Sequence, residues 1–396
     1  MTRLQRTLRD ESGMSYVFIG LSFMAFLSAS MLAIDVGMLM TARNQAQNSA
    51  DAGALAGAVA LAFDSYTDRT ATGPAVTSAI VAAQGNDVMG ADVTVQPQDI
   101  VFLNDPAGQP NRIQVSVYRR GDADATRNNP MSTLIAQYFG MPLAGVGATA
   151  TAEVSPANGM TCVKPFTIPD RWKEVGSDAP WDNNDVYDAF DNKGNPLPAS
   201  EADVYIPAAD ANGNKNPDYT GYNNETHRGT RLVIRAGTGN NINVSFYFSI
   251  AIAGVTGGAE YDWNIANCNK HVMRRGEMLL QEPGNMVGPT VSGVELLIAK
   301  DPNAEWDEEN RKVKNSAYPG QSPRVFPIPL FDPEFYDAGK RAGRYADLKV
   351  ANWIGFFAEE LIGNEVHGRI IPIAGIRDGT LDAPDNLFPK AIRLVK

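Results

Sequence analysis

Five oxygen-bearing side chains alternate along one short stretch, "DANGNKNPDYTG": Asp210, Asn212, Asn214, Asn216 and Asp218. Carboxylate and amide oxygens at every second position of a turn can present several hard ligands to one Ca²⁺. An EF-hand loop needs Gly at its sixth position and a bidentate Glu at its twelfth. Lys215 and Gly221 stand there instead, so this is not an EF-hand. The same residue types also favour plain turns without an ion. Calcium is therefore a candidate cofactor, with a stiffened loop as its only expected effect. A second acidic stretch, "WDNNDVYDAFDNKG" from Trp181, offers Asp182, Asp185 and Asp188.

Motifs for catalysis are lacking. The three histidines, His227, His271 and His367, are scattered, and none stands in a His-Glu-x-x-His pattern. There is no Gly-x-Ser-x-Gly elbow and no Walker loop. "AGTGNN" at Ala236 lacks the third glycine of a dinucleotide loop and precedes a strand pattern. The expectation is a non-enzymatic protein. A net charge of −11 repels phosphate and argues against a nucleic-acid partner. Cys162 and Cys268 are the only cysteines. In an oxidising compartment they form the only intramolecular disulfide available.

The elements that must position these residues begin with the opening stretch. From Ser12 to Ile34 there is no charged residue. As a helix this run spans about 35 Å, enough to cross a hydrocarbon core of about 30 Å. The small-residue string "SASMLA" resembles a cleavage site, but the helix-forming pattern continues without proline from Asp35 to Phe63, as a retained anchor would. Arg3, Arg6 and Arg9 precede the span, and Asp35 is the first charge after it. The positive-inside rule then puts residues 1–11 in the cytoplasm and the bulk outside it. Beyond the span, Ala42, Ala46, Ala50, Gly53, Ala54, Gly57 and Ala58 recur at helical spacing. Such a smooth face admits close approach of another element, within its own domain or on a partner helix. The partner reading names Arg43, Ala46, Gln47, Ala50, Asp51 and Gly57.

The string from Asp10 to Ala58, with Gly13 at the membrane entrance, Asp35-Val36-Gly37 at the exit, Arg43 with Gln47, and a closing Ala/Gly run over Ala50–Gly57, resembles the N-terminal segment of TadE/TadG-like proteins of Tad/Flp pilus assembly. The strings "CVKPFTIPDRW", "EPGNMVGPT" and "VELLIAKDPNAEWD" resemble TadG-like sequences as well. The resemblance implies a bacterial inner-membrane protein with its bulk in the periplasm, binding other Tad proteins or pseudopilins. Prepilins of this class are cut after a Gly, with Glu five residues beyond; here Phe18 occupies that place, which implies an uncleaved accessory rather than a minor pseudopilin. Some TadG-like proteins carry an Asp-x-Ser-x-Ser metal site; "DSYTD" at Asp64 departs from it. A membrane-tethered periplasmic hydrolase is the remaining, least favoured alternative.

The whole chain reads as α+β. A cytoplasmic tail (1–11) and a transmembrane helix (12–34) lead into a helix with a small α+β domain (35–155). A linker, "SPANGMTC", leads to a β-rich domain with long loops (160–396). In the first domain "AVTSAIVAAQ" and "STLIAQYFG" read as helices, and "ADVTVQPQDIVF", "NRIQVSVYRR" and "AGVGATATAEV" as strands. In the second, "ADVYIP", "TRLVIRAG", "NINVSFYFSIAI", "NWIGFFAEEL" and "VHGRIIPIAGI" read as strands, and "VSGVELLIAK" as a helix.

Overall fold

The computed structural model describes residues 12–106, 108–121, 128–176, 180–191, 193–210, 215–237, 241–341, 347–377 and 387–395. These form two compact units, dividing at Val154 and again at Ala391.

The first unit begins with one uninterrupted helix, α1 (Ser12–Phe63), about 78 Å long at 1.5 Å per residue. No proline or charge interrupts residues 12–34, and the side chains of residues 13–34 are exposed. Among the described residues, α1 is the one helix long and apolar enough to cross a membrane. A second helix, α2 (Pro74–Gln84), starts at proline, whose fixed φ suits a first turn. It packs on the later half of α1. Strands β1 (Ile100–Leu103), β2 (Arg112–Arg119) and β5 (Val146–Pro156) form a sheet whose fourth strand is β17 (Lys390–Val395), in the order β1-β2-β5-β17. β2 alternates buried and half-buried residues, so Ile113, Val115 and Val117 face the core with period two. A short hairpin, β3 (Met131–Ser132) with β4 (Leu143–Ala144), completes the unit. Glu153, buried on β5, is bonded by Arg112 of β2 at 2.6 Å and by Arg393 of β17 at 2.9 Å. One carboxylate thus ties three adjacent strands.

The second unit is built around β7 (Phe166–Pro169), β8 (Arg231–Ala236), β9 (Phe246–Ala251), β14 (Val325–Phe331), β15 (Leu348–Ile362) and β16 (Glu365–Ile371). They pair in the order β15-β14-β7-β9-β8-β16, and β16 pairs back with β15, closing six strands into a ring. Closure removes the free edges that an open sheet exposes. β11 (Met278–Gln281) bridges β15 and β9. Small ladders join β6 (Gly159–Met160) to β10 (Met273–Arg274) and β12 (Glu305–Asp307) to β13 (Lys312–Lys314). Within the β15–β16 ladder the backbones lie close at two glycines. A Cβ on Gly355 or Gly368 would lie 2.2 Å from the carbonyl oxygen of Ile371 or Phe357, respectively, so only glycine is accommodated. Helices α3 (Gly258–Ala266) and α4 (Val287–Lys300) pack on each other, and α5 (Pro333–Arg341) follows β14. The main core is a cluster of aromatic and branched residues, including Phe166, Trp353, Phe356 and Ile370, with a smaller cluster around Trp306 and Phe357.

The α+β architecture with a β-rich later region is the one the patterns imply. Several details differ. The units divide at the start of "SPANGMTC", but the stretch itself is packed rather than free: Ala157 to Met160 are buried, and the amides of Asn158 and Gly159 donate to the Ile376 carbonyl. The later region does not run unbroken to the C-terminus, because the residues from Ile392 onward join the first unit through β17. "ADVYIP" makes only a single bridge, Val204 to Lys173. "STLIAQYFG" supplies one 3-10 turn, Ala136–Phe139, inside the β3–β4 hairpin rather than a packed helix.

Candidate functional site

The small-residue face of α1 is turned inward. Ala42, Ala46, Ala50, Ala54 and Ala58 are fully buried, in one core with α2 and β2. A Cβ on Gly57 would meet Ile113 Cδ1 at 2.6 Å and the Ala75 carbonyl oxygen at 3.1 Å. Ser49 Oγ donates to the Ala83 carbonyl of α2 at 2.7 Å. Ala46, Ala50 and Gly57 are therefore core residues of their own unit and not an exposed partner surface. The cause is geometric: alanine and glycine permit α2 and β2 to approach so closely that nothing else can enter.

The polar members of the set lie elsewhere on the helix. Gln47 Nε2 donates to Asp51 Oδ1 at 2.8 Å, one turn on. Arg43 is exposed. Arg43 and Gln47 line a cleft of about 610 Å³ with Tyr118, Arg120, Gly145 and the first residues of β5. The Arg120 guanidinium lies over the Tyr118 ring, 4.1 Å from its centre. Two guanidinium groups on one cleft suit a carboxylate-bearing partner segment.

At the other end of this segment Asp35 is buried. Its carboxylate accepts from the backbone N–H groups of Leu134 (2.6 Å), Ile135 (2.7 Å) and Ala136 (2.8 Å). Burial acts to raise its pKa, but the three donors outweigh this and hold it below the ordinary carboxylate value. Its contribution to stability is thus present at neutral pH and is lost as acid protonates the carboxylate.

The remaining candidates are separate. Of the alternating oxygen set, Asn212 and Asn214 lie outside the described residues. Asn216 Oδ1 accepts from the Asp218 amide, a local turn contact, and Asp210 and Asp218 are exposed. Asp182 and Asp185 accept from the Asn184 and Asp182 amides, respectively, and so are also used in a turn. Among the described residues no three His, Cys, Asp or Glu side chains converge as a metal site. Cys162 and Cys268 are joined in a disulfide. Each histidine has its own local partner: the Asn223 amide for His227, Glu277 for His271 and Glu365 for His367.

Pattern reading misses one buried polar centre in the second unit. Asp170 follows β7 and is fully buried. It accepts from Tyr219 Oη (2.8 Å), Tyr205 Oη (3.1 Å) and the amides of Arg171 and Tyr222. Asn352 Nδ2 donates onward to Tyr219 Oη at 2.7 Å. Burial pushes the Asp170 carboxyl up to about 6 in spite of these donors. The folded state therefore holds the proton more tightly than the unfolded chain. The stabilisation it provides is complete below about pH 4 and is lost as pH rises through 6, on the order of 3 kcal/mol in all. Urea unfolding of the wild type against Asp170→Asn, between pH 4 and 7.5, measures this. The wild type should lose ground to the variant as pH rises; a constant difference would exclude the effect.

Together these features define a class: an α+β protein carried on a single apolar helix whose continuation is embedded in its first unit. Residues 13–60 match the family model of Flp pilus-assembly TadE/G-like (Tad) proteins, so the chain carries a Tad segment there. No curated protein and no solved structure matches the chain.

Proposed function

We propose that the protein is an inner-membrane-anchored accessory of Flp-type pilus assembly, acting by binding rather than catalysis. The observation that carries this reading is the Tad segment itself, which forms one helix from the uncharged span into the first unit. Arg3, Arg6 and Arg9 support a cytoplasmic N-terminus and a periplasmic bulk. Residues 12–34 contact the bilayer. The Arg43–Gln47 cleft receives an acidic segment of another pilus component or a pseudopilin. The protein stays uncleaved, because no carboxylate follows Gly13 within the span.

Electron-microscopic counting of surface pili tests this in a strain lacking the gene. Pili should vanish, return with the wild-type gene, and fail to return with Arg43→Glu. Unchanged pilus number and length in the deletion strain would refute the assembly role. Full rescue by Arg43→Glu would refute the cleft as the binding surface.

A further inference from the structure

The β3–β4 hairpin has a composition unlike the rest of the molecule. From Asn128 to Ala152 no residue carries a charge, in a chain where one residue in five does. Its apolar side chains are not gathered into the core. Ile135 is buried, but Tyr138 is 80% exposed, Phe139 69%, Met141 61% and Leu143 56%. The loop is nevertheless well formed. Thr133 Oγ1 donates to the Met141 carbonyl at 2.7 Å, and the Met141 amide donates to the Ala136 carbonyl at 2.9 Å. An ordered loop that displays two aromatic rings and a methionine needs a covering for them.

Its attachment says what covers it. The hairpin is bonded through three consecutive amides to Asp35, and Asp35 is the first residue after the uncharged run Ser12–Ile34. The loop therefore starts within 3 Å of the Asp35 carboxylate, one residue past the end of the uncharged run. The headgroup layer adds several ångströms beyond the hydrocarbon on each side. Tyrosine is favoured at that depth, with its ring toward the acyl chains and its hydroxyl toward water. Val36 and Met40 of α1 are also exposed beyond the exit, so the apolar surface continues from the span past Asp35. A soluble partner would have to reach this surface through the headgroups.

We propose that the 134–143 hairpin is a second membrane-contacting element, seated in the interfacial layer of the leaflet where α1 exits, and that Asp35 fixes it there. Two attachments instead of one set the tilt and rotation of α1, which a single span leaves to its surroundings. The first unit, with its arginine cleft, is then presented at a defined height above the lipid. The inference rests on residues 12–34 spanning the bilayer.

The test uses the full-length protein, disulfide intact, in vesicles of phosphatidylcholine and phosphatidylglycerol. Single thiols introduced as Phe139→Cys, Phe26→Cys and Val81→Cys carry an environment-sensitive fluorophore. Spin-labelled lipids quench it either near the headgroups or deep in the acyl region. The Phe26 probe should be quenched by the deep label and the Val81 probe by neither. The Phe139 probe should be quenched several-fold more by the shallow label than by the deep one. If the Phe26 probe escapes quenching, the span reading fails and the inference with it. If Phe26 is quenched while Phe139 behaves like Val81, the span stands and the inference is overturned. If Phe139 is shielded from lipid and aqueous quenchers alike, protein covers it, which also overturns the inference. In Asp35→Ala, shallow quenching at position 139 should fall several-fold with Phe26 unchanged; no change would remove Asp35 from the device.

Discussion

Replacing Gly57 with leucine will unfold the first unit. The site has no room for even one added carbon: a Cβ would sit 2.6 Å from Ile113 Cδ1, 3.1 Å from Ala79 Cβ and 3.1 Å from the Ala75 carbonyl oxygen. The Ile113 methyl could swing aside, but the carbonyl belongs to the backbone of α2 and cannot move without shifting that helix. Overpacking of this kind costs about 1–3 kcal/mol when neighbours can adjust, and the leucine should exceed the top of that range. Gly53→Leu meets the same obstacle, with Ala83 Cβ at 2.9 Å and the Ala79 carbonyl oxygen at 3.0 Å. Val59→Leu, on the exposed side of the same helix, is the control and should leave stability unchanged. Hydrogen exchange of the α2 amides in detergent-solubilised full-length protein gives the answer. Wild-type protection in Gly57→Leu would mean that the small-residue face is not the internal seam described here.

The second large effect is expected from the disulfide. Cys162 and Cys268 enclose a loop of 106 residues. In the chain-entropy treatment a crosslink over such a loop stabilises by up to about 4–5 kcal/mol, through restriction of the unfolded chain. It fastens the start of the second unit to the chain just past α3. Lys164 reinforces the same junction, its Nζ donating to the carbonyls of Ile265 and Asn267 at the end of that helix, although burial and the nearby Lys300 lower its pKa to about 7. These bonds survive reduction, so the loss should be partial. Cys162→Ser with Cys268→Ser should lower the melting temperature of the second unit by roughly 5–15 °C. Calorimetry of oxidised and reduced protein gives the comparison, and equal melting temperatures would show the bond to be energetically idle.

Gly57 and Cys162 also mark how differently two kinds of information are written into the chain. A disulfide between the only two cysteines is legible by counting. The span is legible because absence of charge over Ser12–Ile34 is a local property that lipid reads residue by residue. The strands "TRLVIRAG" and "NWIGFFAEEL" show through because alternation and β-branching are local too. β14 does not show through: in "VFPIPLF" the two prolines argue against a strand, and only its place beside β15, buried at all seven positions, makes it one. "KAIRLV" is too short and too polar to announce that it pairs in a sheet formed more than two hundred residues earlier.

The same division governs the functional surfaces. By itself the sequence determined that an apolar helix with an Asp-Val-Gly exit carries a run of alanines and glycines, and that run is necessarily a seam. Which element fills the seam is a matter of distant contacts, and the fold fills it with α2 and β2. That leaves Arg43 and Gln47, rather than the alanines, facing outward. Asp35 is visible as the first charge after the span. That its carboxylate holds three amides a hundred residues away, and so sets an uncharged hairpin beside the end of the uncharged run, depends on tertiary structure alone, because only folding brings those donors within hydrogen-bonding distance.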